Sequence, residues 1–315
     1  MKNYFSLLDA VRFFAAFWIM NFHYLLVLGL SADLHWYRYG NLGVQLFFII
    51  SGFVIVQSLK GKSLKQFTVG RFIRLFPLFW ILCTFTYLLT LVVPGAHYLH
   101  FTEYLRSMTM LGDIFDGIIG PGSLIDPSYW TLAVELIFYC GIGIFTYFFS
   151  YRNIRYFFAV WLVISMVAFA YHIDENFYIK LALVRHASYF IFGGTLALLT
   201  MKEARNLIEK YFDWGLIFIS AFFSIYIHTR AIPSYITPNL LDNTIVTILL
   251  IIFFTGIPML VYLSRYVKNP RIIQGLMILG GLTYPLYLLH QRIGNVLINY
   301  GTNTYDISWN IFAIC

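Results

Sequence analysis

The sequence predicts an all-α fold, a polytopic bundle of about ten transmembrane helices with its N-terminus in the cytoplasm. Three observations carry that prediction. First, 60% of the 315 residues are hydrophobic and only 11% are charged, whereas soluble domains carry about a quarter charged residues. Second, apolar runs approaching the roughly 20 residues that a bilayer-crossing helix needs recur along the whole chain. Third, Lys and Arg are distributed unevenly between alternate connecting segments. Tyr and Trp gather near the ends of the runs, as side chains that settle at the membrane interface do.

Taken in order, the spans fall at about 7–30, 42–59, 75–93, 130–149, 156–172, 181–200, 213–228, 244–263 and 275–298, with a tenth beginning near 307. With the N-terminus inside, the inner segments hold Lys2, then Lys60, Lys62, Lys65, Arg71 and Arg74, then Arg152 and Arg155. They continue with Lys202, Arg205 and Lys210 and end with Arg265, Lys268 and Arg271. The outer loops hold only Arg38, Arg106, Lys180, Arg185 and Arg230, and this bias sets the orientation. A formal charge of +7 therefore records topology and calls for no nucleic acid. The first run is interrupted by Asp9 and Arg12 and lacks a small-x-small cleavage site, so it reads as a retained span. The outer segment 94–129, rich in Gly and Pro, reads as irregular. No linker or repeat divides the chain, and 1–315 reads as a single domain. The last run, ISWNIFAIC, is too short to cross, so the final span reads as incomplete. Cys83, Cys140 and Cys315 lie in apolar runs with no CxxC pair and offer neither a disulfide framework nor a metal site.

Several ionisable residues interrupt this apolar background. An Arg at a helix centre costs about 2.5–3.5 kcal/mol on insertion scales, so such groups face a partner or a cavity. In RFFAAFWIMNFH, Arg12 and His23 are 11 positions apart. That is three helical turns plus roughly 20°, so the two share a face about 16 Å apart along the axis. Asp9, one turn before Arg12, is placed to pair with it. The plainer accounts are snorkelling of Arg12 to the inner interface and a helix–helix hydrogen bond from His23.

In RFIRLFP, Arg71 and Arg74 are neighbours on one helical face at the cytoplasmic surface. They serve either as a positive-inside anchor or as a phosphate clamp, since guanidinium forks match phosphate oxygens. In PSYWTLAVELIFY, Glu135 falls in the apolar part of the fourth span, where a carboxylate needs a partner. Trp130 and Tyr139 flank it, and interfacial belt aromatics are the plainer account of both. In LTYPLYLLHQ, His290 lies near the outer end of the ninth span, which Pro285 is placed to kink.

Together, LDAVRFFAAFWIMNFH, GNLGVQLFFIISGFVI, RFIRLFP, YWTLAVELIFY and TYPLYLLH resemble, in order and spacing, acyltransferase family 3 of membrane O-acyltransferases. The resemblance implies an enzyme that transfers groups other than aminoacyl groups. It would move an acyl group, commonly acetyl, from cytoplasmic acyl-CoA to a hydroxyl of an envelope polysaccharide or glycolipid, in a bacterial inner (plasma) membrane. It implies no bound cofactor and no metal, acyl-CoA being the donor substrate. By the same resemblance His23 is the catalytic histidine, with Arg12 its companion and Glu135 part of the catalytic set. Arg71 and Arg74 hold the CoA end, and Trp130 and Tyr139 complete the Trp–Glu–Tyr motif. Asp9, Gln45, Ser51 and His290 are further candidates. The chain departs from the family pattern at Pro127, where a serine is common, and at Gln45, where an acidic residue is common. The competing classes are a transporter or flippase for an envelope sugar or lipid, and a non-catalytic scaffold.

Overall fold

A computed structural model describes residues 5–28, 36–93, 99–112, 124–173, 185–230 and 242–305. Those residues form an all-helical bundle in which seven helical segments are long and apolar enough to cross a membrane. In chain order the α-helices are α1 Ser6–Leu28, α2 Gly43–Leu59, α3 Leu64–Val92, α4 Phe101–Met108, α5 Trp130–Phe148, α6 Ile154–Ala170, α7 Ala187–Thr200, α8 Leu207–Arg230, α9 Asn243–Leu263, α10 Pro270–Leu289 and α11 Arg292–Tyr305. Short 3-10 turns lead into α2, α5 and α6 and follow α9.

The expected count of about ten spans holds only roughly, since seven helical segments among the described residues are long and apolar enough, and two further expectations are modified. The segment 94–129 contains α4, whose start is held by the backbone N–H of His100 donating to the Glu103 carboxylate at 2.7 Å. The ninth span does not run to 298. It ends at Leu289, and α11 starts at Arg292 after a turn, because the Arg292 N–H donates to Asp126 at 2.8 Å and not to the preceding helical turn. Pro285 lies inside α10, which continues past it to Leu289. The tenth span predicted from 307 lies outside the described residues.

Local sequence explains the helix starts. Ser63 caps α3 through a reciprocal pair: its hydroxyl accepts from the Gln66 N–H at 3.3 Å, and the Gln66 side chain accepts from the Ser63 N–H at 3.0 Å. Asp242 caps α9 by accepting from the Thr244 and Ile245 N–H groups.

Packing is densest where side chains are smallest. α2 and α7 form the most extensive helix pair, because Gly52 lies against the Phe190 backbone and Gly193 against the Ile49 carbonyl. Small residues let backbones approach this closely in membrane bundles. The outward faces of α3, α9 and α10 expose Ile73, Ile81, Leu88, Ile252, Met277 and Ile278. Lipid is the solvent that suits such faces.

Near the start of α8, an ionic network joins α6 to α8. The fully buried Arg155 pairs with Asp213 (Nε–Oδ1 3.2 Å) and with Glu209, which also accepts from Arg205 Nε at 2.7 Å. Lys60, just after α2, pairs with Glu203 at 2.5 Å.

Candidate active site

A cavity of about 550 Å³ opens between α1, α2, α3, α5 and α10. Its polar lining draws on all five motifs singled out above: Asp9 and Arg12 from α1, Ser51 from α2, Arg71 and Arg74 from α3, Glu135 and Tyr139 from α5, and Tyr284 and Tyr287 from α10. Each helix projects its polar residue inward at helical spacing, and its apolar remainder goes to neighbouring helices or to lipid. Glu135 accepts from the Ser51 hydroxyl at 2.6 Å and from Tyr139, one turn along its own helix. Arg12 lies within electrostatic reach of Arg74, Glu135 and Asp9. The Arg71 guanidinium sits over the rings of Phe67 (5.6 Å) and Tyr139 (5.8 Å). Three arginines against two carboxylates leave the cavity walls with excess positive charge, a setting for an anionic ligand.

Close approach of α1 to α10 depends on Gly280, where a Cβ would strike the Asp9 carboxylate. Tyr284 of α10 reaches back to α3, donating to the Leu75 carbonyl at 3.0 Å. One turn further, Tyr287 lines the cavity and donates to the Ser128 carbonyl at 2.7 Å, with Thr131 Oγ1 2.5 Å from its hydroxyl.

Beyond Tyr287 the polar path continues. Its ring lies 5.4 Å from that of His290, and the His290 ring lies 5.3 Å from that of His23. His290 is 2% exposed, and its Nδ1 is 2.7 Å from the Tyr287 carbonyl oxygen. His23 is therefore not a lining residue of the cavity. It stands behind Tyr287 and His290, and its ring contacts are Phe22 and His290. Glu135 belongs with Arg12, Ser51 and Tyr139, at the other end of the arginine–histidine face of α1.

Besides His23 and His290, two further candidates, Trp130 and Gln45, stand apart from the cavity lining. Trp130 packs on Phe48 (6.3 Å) and His186 (5.4 Å). Gln45 faces α8: with its amide nitrogen toward the Leu42 and Asn41 carbonyls (3.0 and 3.1 Å), its oxygen faces His228 Nδ1 at 3.4 Å.

Sequence reasoning overlooked Asp126, Tyr284 and Tyr287. Fully buried Asp126 accepts from the Ser128 N–H (2.8 Å), the Ser128 hydroxyl (2.6 Å) and the Arg292 N–H (2.8 Å). It thereby ties the start of α5 to the turn between α10 and α11. The Asp-Pro-Ser signature of a helix start was available in the sequence, but the long-range partner was not. Tyr284 and Tyr287, three residues apart, carried a one-face signal that passes equally for interfacial aromatics. Among the described residues, no three His, Cys, Asp or Glu side chains gather as a metal site.

A family profile described as an acyltransferase domain, that of acyltransferase family 3, matches residues 5–315. Nodulation protein 10 of Rhizobium leguminosarum bv. viciae is 33% identical over 115 residues, covering 31% of this chain and 30% of that protein. The match thus spans less than a third of the relative's length. No solved structure matches.

Proposed function

The chain belongs to acyltransferase family 3, and on that premise we propose that it moves an acyl group, acetyl in the first instance, from cytoplasmic acyl-CoA to a hydroxyl of an envelope carbohydrate. O-antigen, capsule and exopolysaccharide are the acceptor classes this reading covers, and a bacterial inner membrane is its setting. The observation that carries it is the cavity: Arg12, Arg71 and Arg74 line one space whose wall residue Tyr287 leads through His290 to His23.

Each part has a chemical role. Arg71 and Arg74, at the cytoplasmic end of α3, take the CoA phosphates as planar multi-donor forks. The thin pantetheine arm then runs past Arg12 toward His23. A sugar hydroxyl is a weak nucleophile at neutral pH, and a histidine within hydrogen-bond reach removes its proton as the oxygen attacks, an effect worth about 10²–10⁴ in rate. The C–O bond forms at the thioester carbonyl and the C–S bond breaks. The proton taken by His23 passes to the CoA sulfur. Glu135, held by Ser51 and Tyr139, balances the charge of Arg12 and keeps its side chain on the donor's path.

Purified protein in lipid nanodiscs, given acetyl-CoA radiolabelled in the acetyl group and envelope polysaccharide, is expected to put covalent label on the polysaccharide. Movement of polysaccharide or glycolipid across proteoliposomes without covalent label would instead establish transport and overturn the reading.

A further inference from the structure

His290 has one ring nitrogen committed and one bare. Its Nδ1 faces the Tyr287 carbonyl oxygen at 2.7 Å. A carbonyl only accepts, so Nδ1 carries the ring proton and Nε2 of the neutral imidazole is an acceptor. That Nε2 is buried and has no hydrogen-bond partner, an uncommon condition for a buried polar atom. The adjoining imidazole is that of His23, with centroids 5.3 Å apart and planes tilted by 41°. A hydrogen bond between the two rings requires each to aim a nitrogen along the line between them; with His290 fixed through Nδ1, a turn of the His23 ring supplies it.

The backbone that carries His290 is held in place from α5 and its N-terminal turn. Tyr129 donates to the Leu288 carbonyl at 3.4 Å, Tyr287 donates to the Ser128 carbonyl at 2.7 Å, and the Arg292 N–H donates to Asp126 at 2.8 Å. A residue that merely filled space would not require its ring and both flanking turns to be fixed by hydrogen bonds.

We propose that His290 is a positioning residue for His23: its Nε2 accepts the ring N–H of His23, so that His23 is held as one tautomer with its other nitrogen free for the acceptor hydroxyl. The proposal rests on the reading of His23 as the reacting histidine. During transfer the hydroxyl O–H bond breaks, the C–O bond forms, the C–S bond breaks and the sulfur takes the proton. The free nitrogen of His23 carries that proton in between, and the N–H toward His290 stays in place throughout. A serine-hydrolase aspartate performs the same service for its histidine, setting tautomer and orientation; here the acceptor is a neutral imidazole whose own tautomer is set by a backbone carbonyl.

The test is solid-state NMR of ¹⁵N-histidine-labelled protein in lipid bilayers, with His23→Ala used to assign the His23 signals. The wild-type protein is expected to show His23 as a single tautomer. In His290→Leu both tautomers should appear, and in His290→Gln, whose carboxamide oxygen still accepts, one should persist. Two His23 tautomers in the wild type, or an unchanged His23 spectrum in His290→Leu, would overturn the proposal. The wild-type spectrum is decisive even if the Leu variant does not fold. In acetyl transfer, kcat of His290→Leu should fall about 100-fold with little change in KM for acetyl-CoA, and His290→Gln should recover part of it. An equal loss in both variants would mark a packing role and also overturn the proposal. Failure of the wild-type protein to use acetyl-CoA would overturn the donor reading alone, because the NMR spectra decide the histidine pair independently.

Discussion

Ser51 on α2 donates its hydroxyl to Glu135 on α5 at 2.6 Å, and the Tyr139 hydroxyl donates to the same carboxylate oxygen. Two donors on one oxygen hold the carboxylate at the cavity wall beside Arg12. Hydrogen bonds to charged groups contribute about 1.5–3 kcal/mol, so the pair fixes the position of the carboxylate. Glu135→Gln keeps the size and loses the charge. It is expected to lower acyl transfer about tenfold or more at unchanged membrane yield, and Ser51→Ala should have a smaller effect because Tyr139 remains. Steady-state rates for the two variants, normalised to purified protein, provide the check. An unchanged rate in Glu135→Gln would remove that residue from the mechanism.

His23→Ala is expected to abolish transfer and leave the protein folded. The side chain is only partly buried, so its truncation opens little core. Thermal unfolding in detergent should match the wild type, and no acetyl label should reach the acceptor. Retained acetylation would reject the assignment.

Arg71→Ala combined with Arg74→Ala should act on donor binding, raising KM for acyl-CoA about tenfold or more with a smaller change in kcat. Replacement of both by Lys should recover only part of the loss, because an ammonium lacks the planar fork. Titration of the donor at saturating acceptor separates the two constants.

Gly193→Val tests the α2–α7 contact. Even a Cβ at this position collides with the Ile49 carbonyl oxygen, and neither backbone can retreat without parting the helices. Overpacking in a close-packed core typically costs about 1–3 kcal/mol; because the clash here is with backbone, the cost should reach the upper end. A lowered Tm, or loss of monodisperse protein after extraction, is the expected result.

Asp213→Ala leaves Arg155 buried with one partner fewer. Removing one member of a buried ion pair costs about 3–5 kcal/mol, and Glu209, still paired with Arg155, holds the effect to the lower end. The double replacement Arg155→Met with Asp213→Leu should be milder than Asp213→Ala, since the fully buried guanidinium is gone and Glu209, which loses it, keeps Arg205 as its partner. Thermal unfolding of the three proteins orders them.

The seven long apolar helices could be read from composition, because a bilayer demands that each crossing segment bond its own backbone and expose apolar side chains. Arg12, Arg71, Arg74 and Glu135 were equally legible, since charge in an apolar helix needs a reason wherever it occurs. Less could be read where the reason lay far along the chain. Asp126 looks like an ordinary cap until its second oxygen is seen to hold Arg292, 166 residues away. The ninth span looked continuous because the stop after Leu289 comes from that long-range bond and not from a local breaker.

The sequence by itself determined that this is a helical membrane protein, which residues could not belong in lipid, and that Arg12 and His23 share one face of α1. Those are properties of single segments, set by hydropathy and the 3.6-residue period. Only the tertiary structure decided the partners. It brought Glu135 to Ser51 and the vicinity of Arg12, separated Trp130 and Gln45 from the cavity, and set His290 against His23. Partner choice depends on which faces of different helices meet and at what depth. That is decided by glycine contacts such as Gly52 with Phe190 and Gly280 with Asp9, where closeness depends on both surfaces at once and neither segment encodes it alone.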